Sequence, residues 1–128
     1  GLAVHIGARI MAEAAPGEPW RVGIRHPADP ARVAAVLAIR DAAVATSGLY
    51  ERGPHIRDPR SGATPDAYAS ITVVGPRLGP ADAYATAAFA LGAAGPAWVA
   101  GRPGFGVLAL DGAGNATWSD LLDRLLVR

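Results

Sequence analysis

Asp82 and Thr86 stand four residues apart in "ADAYATAAFALG", residues 81–92, a run otherwise made almost entirely of small apolar side chains. On a helix, positions four apart lie one above the other on the same face, so this spacing presents a carboxylate and a hydroxyl side by side. Both are hard oxygen donors. Mg²⁺ takes such donors in a near-octahedral shell and completes it with water and substrate phosphate. The same two residues also have structural uses. A carboxylate in a first helical turn complements the helix dipole, and a threonine hydroxyl bonds back to the carbonyl one turn earlier. The spacing alone leaves both readings open.

Two other stretches carry polar chemistry. "PHIRDPRSG", residues 54–62, holds His55 inside a dense polar cluster. An imidazole titrates near neutrality, which suits an acid–base group or a phosphate contact, although Asp-Pro followed by Gly is equally the composition of a turn. "VATSG", residues 44–48, delivers Thr46 and Ser47 from an apolar run into a glycine, as a ligand-facing turn or as a strand end closed by a hydroxyl turn. No His–Asp context marks Ser47 as a nucleophile.

These residues need elements to position them. "WRVGIRH", residues 20–26, alternates Trp20, Val22 and Ile24 with Arg21, Gly23 and Arg25, the period of a half-buried strand. "YASITVVGP", residues 68–76, is rich in β-branched residues and stops at Gly75-Pro76, so it reads as a strand. Residues 80–92 follow as a helix, with Pro80 and Asp82 suited to its first turn and Gly92 to its end. Residues 2–13 are one bent strand or two short ones. Residues 31–46 are ambiguous: Asp29 and Pro30 fit the start of a helix, yet two strands turning at Arg40–Asp41 fit as well. Residues 49–67 read as an ordered loop, followed after the helix by a short apolar piece around Trp98. "FGVLALDGAGNATWS" is a hairpin over Asp111-Gly112 to Gly114-Asn115. "DLLDRLLVR", with leucines at 121, 122, 125 and 126, is a short amphipathic helix. The whole is expected to form one α+β domain over residues 1–128, with a mixed or antiparallel sheet and a few helices.

Composition narrows the function classes. The 128 residues are 51% hydrophobic and 18% charged, with a formal net charge of +1, which is the balance of a globular domain. All basic residues are arginine, and they are interspersed with acids, so no basic stripe points to a nucleic-acid partner. The absence of cysteine excludes disulfides, zinc–thiolate sites and cysteine nucleophiles. No apolar run reads as a membrane span or a signal peptide. The compartment is not legible.

Taken in order, "PWRVGIRHP", "AVATSGLYERGPHIRDPRSG", "ASITVVGP" and "ADAYATAAFALG" resemble the ApbE family, the FAD:protein FMN transferases. That family shows a tryptophan strand ending in a His-Pro or Asp-Pro turn, then A-T-S-G with a following E-R, H-I-x-D-P-x-[ST]-G, an S-x-T-V-V strand, and A-D-A-x-A-T-A. All five occur here in family order over residues 19–92, with a looser fit of the tail to about residue 118. The resemblance implies a T-fold-like flavin transferase domain, of which this chain is expected to be the C-terminal part. It implies cleavage of the FAD diphosphate and transfer of FMN to a Ser or Thr hydroxyl of an acceptor flavoprotein, with release of AMP. It also implies Mg²⁺ held by Asp82 and Thr86, and FAD contacted by His55 in the segment that includes Ile56, with Thr46 and Ser47 as further candidate flavin contacts. His55 is in addition a candidate to take the acceptor's proton, equally with an aspartate of the family's N-terminal half.

The family usually carries N-x-G-G-D-[IV] where residues 5–10 read "HIGARI": His5 stands for the Asn, Ala8 for a Gly and Arg9 for the Asp. Arg9 brings a positive charge suited to pairing with a phosphate. The reversal also leaves room for a relative that binds FAD or an acceptor without transferring FMN, or for an inactive remnant. Mg²⁺-dependent release of AMP from FAD separates the first function from the other two.

Overall fold

The computed structural model describes residues 2–6, 9–13, 18–27, 29–48 and 66–128. Among these residues, eight strands and three helices follow in the order β1 (Leu2–Ile6), β2 (Arg9–Glu13), β3 (Trp20–His26), β4 (Asp29–Ile39), β5 (Ala42–Gly48), β6 (Ser70–Gly75), α1 (Leu78–Leu91), a 3₁₀ turn (Gly92–Ala94), α2 (Gly95–Ala100), β7 (Gly106–Leu110), β8 (Ala116–Trp118) and α3 (Asp120–Asp123). A six-stranded sheet runs β1-β2-β5-β6-β7-β8, and β3 and β4 form a second sheet of two. Every pairing among the described strands is antiparallel.

Three layers result. On one face of the large sheet, α1 and α2 bury Ala81, Ala85, Ala88, Phe89 and Val99 against Ala43, Ala45, Ile71, Val73, Val107 and Ala109. On the other face the β3–β4 hairpin and α3 bury Val22, Ile24, Leu37, Ile39 and Leu122 against Val44, Val74, Leu108 and Leu110. The odd and even positions of β5 and β6 divide between these cores, as period-two alternation requires. Covered on both faces, these strands are buried almost throughout rather than alternating, and they carry four buried hydroxyls, Thr46, Ser47, Ser70 and Thr72.

The helix starts earlier than its sequence suggests. Leu78 is the first helical residue and Pro80 occupies the first turn, where a missing N–H costs nothing. Asp82 consequently lies beyond that turn, which holds no acidic residue. At the other end Gly92 adopts φ 68° and donates its N–H to the Phe89 carbonyl, as expected for a glycine closing a helix.

The ambiguous stretch resolves as strands. β4 pairs with β3 from Trp20↔Ile39 to His26↔Asp29, and the chain turns out of it at Arg40–Asp41, with Asp41 at φ 46°. Asp29, fitted by sequence to cap a helix, instead accepts the N–H of Ala31 at 3.0 Å. Residues 2–13 are two strands rather than one bent strand. The apolar piece around Trp98 is helical. The C-terminal leucines form a helix only over Asp120–Asp123. Beyond it the chain runs beside β4, with Val127 donating to Val36 and Ala38 donating to Leu125, both at 2.8 Å. The free edge of β4 offers ladder partners that a longer helix would forgo.

Outside these cores, two exposed carboxylates sit below their ordinary range. Asp111 is lowered by the Asn115 backbone N–H and then its side chain. Asp123 is lowered by the Trp118 indole N–H and then by Arg128.

By length and hydropathy the helical run Leu78–Ala100 is apolar enough to cross a membrane, contrary to the sequence reading. It is broken by the turn at Gly92–Ala94, and α1 packs on the sheet as a core helix.

Gly95 lets α2 start against α1. A Cβ added there would lie 2.0 Å from the Ala88 carbonyl oxygen, a backbone atom that cannot swing aside. Gly95→Ala is expected to destabilise the fold by about 1–3 kcal/mol, read from the midpoint of denaturant unfolding at an unchanged m-value.

Candidate functional site

α1 follows β6 and packs back across β5 and β6, reaching β2. Alanine on both surfaces (Ala81, Ala85 and Ala88 above, Ala43 and Ala45 below) is what allows a close approach. Asp82 and Thr86 flank this buried stripe and are each half-buried. The helix therefore puts both on one face, as the spacing predicted. Because Asp82 lies past the first turn, compensation of the helix dipole, which fades within that turn, is a weak explanation for it.

Thr86 meets a partner that lies 39 residues back along the chain. Its Oγ1 is 3.2 Å from Oγ of Ser47 in β5. Ser47 is fully buried and occupies the same face of β5 as Ala43 and Ala45. A hydroxyl in that apolar row costs about 1–3 kcal/mol if left unpaired, and the helix supplies the pairing.

Thr46 goes elsewhere. Its hydroxyl lies 2.7 Å from that of Thr72 across the β5–β6 ladder, on the face covered by β3 and β4. Ser70, in register with Gly48 at the end of that ladder, has a buried Oγ with no hydrogen-bond partner. Thr46 and Ser47, adjacent in sequence, thus belong to opposite faces, and only Ser47 joins the Asp82–Thr86 pair. Arg9 stands opposite Ala45 in the β2–β5 ladder, two positions along β5 from Ser47, and only its backbone is described. His55 and Ile56 lie outside the described residues, within the segment that leaves β5 after Gly48 and returns before Ser70.

The donor set suits a hard cation in part. A carboxylate and a hydroxyl on one helix face supply two oxygens, and no cluster of three or more His, Asp or Glu side chains occurs among the described residues. The remaining positions would fall to water, phosphate or backbone carbonyls, the usual complement of Mg²⁺.

The sequence model of the ApbE family matches residues 1–109, most of the chain. The chain belongs to the ApbE family. The FAD:protein FMN transferase of Salmonella typhimurium is 33% identical over 116 residues, covering 81% of this chain and 33% of that protein. The one from Treponema pallidum is 40% identical over 94 residues, covering 65% of this chain and 26% of that protein. Among solved structures, the ApbE protein of Thermotoga maritima superposes with a TM-score of 0.83 at 27% identity, over 98% of this chain and 45% of that one. The flavin transferase ApbE of Vibrio cholerae gives 0.78 at 29% identity, over 97% and 44%. This chain spans between about a quarter and just under half the length of these relatives. The expected α+β architecture with antiparallel sheets is that of the ApbE structures.

The sequence missed the Ser47–Thr86 and Thr46–Thr72 pairs. No local signal marks either, because each joins elements distant in the chain. Thr72→Val should cost about 1–3 kcal/mol by leaving the buried Thr46 hydroxyl unpaired, and Thr46→Val/Thr72→Val should recover most of that loss. Chemical denaturation of the three variants measures both effects.

Proposed function

We propose that this chain forms part of an FMN transferase that moves FMN from FAD to a serine or threonine hydroxyl of an acceptor flavoprotein. What supports the reading is the pairing of Asp82 and Thr86 on the flank of α1, in a chain of the ApbE family whose relatives are named for this reaction. In the reaction the acceptor oxygen attacks the phosphorus on the FMN side of the FAD diphosphate. A new P–O bond forms, the bridging P–O bond breaks, and AMP leaves with the bridging oxygen.

Asp82 and Thr86 would hold Mg²⁺, which when bound neutralises charge on the diphosphate. The carboxylate supplies negative charge and the hydroxyl a neutral lone pair, both set by a helix whose own position is fixed by its alanine stripe. His55 is assigned as a contact to FAD and as acceptor of the hydroxyl proton, a role that an imidazole nitrogen can fill. Ile56 beside it and Arg9 complete the candidate flavin-binding set, whereas the buried hydroxyls of Thr46 and Ser47, which the resemblance offered as further contacts, are taken up by Thr72 and Thr86. An arginine at position 9 adds a cation of a kind that pairs with phosphate oxygens. The chain is read as one domain that is the C-terminal portion of the transferase.

Arg9, standing where the family usually has aspartate, favours a second reading: a relative that binds FAD without cleaving it. The two part on one assay. The whole transferase of which this chain is read as the C-terminal part, incubated with FAD and Mg²⁺, is expected to release AMP, followed by chromatography. A chelator should abolish the release, and Asp82→Ala should lower it about 100-fold or more, in line with a loss of several kcal/mol of charge stabilisation. Saturable FAD binding in equilibrium dialysis without any AMP would instead select the second reading.

A further inference from the structure

We propose that Ser47 is a positioning residue that orients the Thr86 hydroxyl toward a divalent cation by accepting a hydrogen bond from it. The inference rests on the metal-dependent reading above and gives Ser47 a role distinct from contact with the flavin.

Ser47 is fully buried, so its side chain reaches the site through Thr86. Each hydroxyl has one proton and two lone pairs, and the 3.2 Å contact admits either as donor. A cation on Thr86 Oγ1 removes that ambiguity. The Thr86 proton must point away from the positive charge, and Ser47 Oγ is placed to receive it. A lone pair on Thr86 is then left directed at the metal.

The contact also selects a rotamer. Threonine in a helix divides between two χ1 wells because its hydroxyl can bond the carbonyl one turn back. Pairing with Ser47 holds Thr86 across to β5, and loss of Ser47 releases it to the competing bond with its own helix. Nothing in β5 requires a polar residue here otherwise. The same-face neighbours Ala43 and Ala45 are part of an apolar core.

The test is calorimetric titration of Mg²⁺ into the full chain with FAD present. Ser47→Ala is expected to raise the Mg²⁺ dissociation constant about tenfold, the size of one hydrogen bond. Thr86→Val should raise it further, and Ser47→Ala/Thr86→Val should match Thr86→Val alone, because Ser47 acts through Thr86. Ser47→Cys, with nearly the same shape and a weaker acceptor, is expected to lie between wild type and Ser47→Ala, and it serves if the alanine variant does not fold. Thermal unfolding without Mg²⁺ reads any structural effect separately. A lowered metal-free melting temperature with an unchanged Mg²⁺ dissociation constant overturns the inference, as do additive losses in the double variant. Should Asp82→Ala weaken Mg²⁺ binding while Ser47→Ala does not, the metal reading stands and this inference alone fails. Absence of saturable Mg²⁺ binding by the unaltered chain removes both.

Discussion

Alanine lies on alanine where α1 meets β5, and the short distance between these layers sets the geometry of the site. Ala81, Ala85 and Ala88 rest on a strand that offers Ala43 and Ala45. A hydroxyl on the helix can then meet a hydroxyl on the strand directly, as Thr86 and Ser47 do. With leucine or isoleucine at these contacts the layers would stand further apart, as helix packing distances follow side-chain size, and two side chains as short as serine and threonine would not touch. The alanine content of residues 81–90 is therefore a geometric requirement of the pair as well as a helix propensity.

Pleating determines which hydroxyls belong to the site. Thr46 and Ser47 are consecutive, and a strand sends consecutive side chains to opposite faces. Ser47 points to the helix and Thr46 to the β3–β4 layer, where Thr72 satisfies it. A register slip of one residue would exchange them and bring Val44 into the helix interface. The ladder from Ala43↔Gly75 to Gly48↔Ser70 fixes the register. It also brings the two ends of the His55-bearing segment together at the end of the β5–β6 pair.

Much of this was legible in the sequence. Alternation located β3, β-branched residues located β6, and the spacing of Asp82 and Thr86 was correctly read as one helix face. Where propensity and pairing disagreed, pairing prevailed. Val33, Val36 and Leu37 fit a helical face, but the β4 backbone is satisfied by β3 on one side and by residues 125–127 on the other. The same competition shortened the C-terminal helix to Asp120–Asp123. The Ser47–Thr86 contact was not legible because it depends on the spacing between two layers, which no local window contains. The family resemblance rests on motif order, whereas the contact of Ser47 with Thr86 depends on where the helix packs on the sheet.

The most direct measurement is anomalous diffraction from crystals of the protein grown with FAD and Mn²⁺ as a detectable substitute for Mg²⁺. The account predicts one strong anomalous peak within about 2.0–2.6 Å of both the Asp82 carboxylate and Thr86 Oγ1, beside the diphosphate. A well-ordered diphosphate with no peak at these two side chains, or with the ion bound elsewhere, would contradict it.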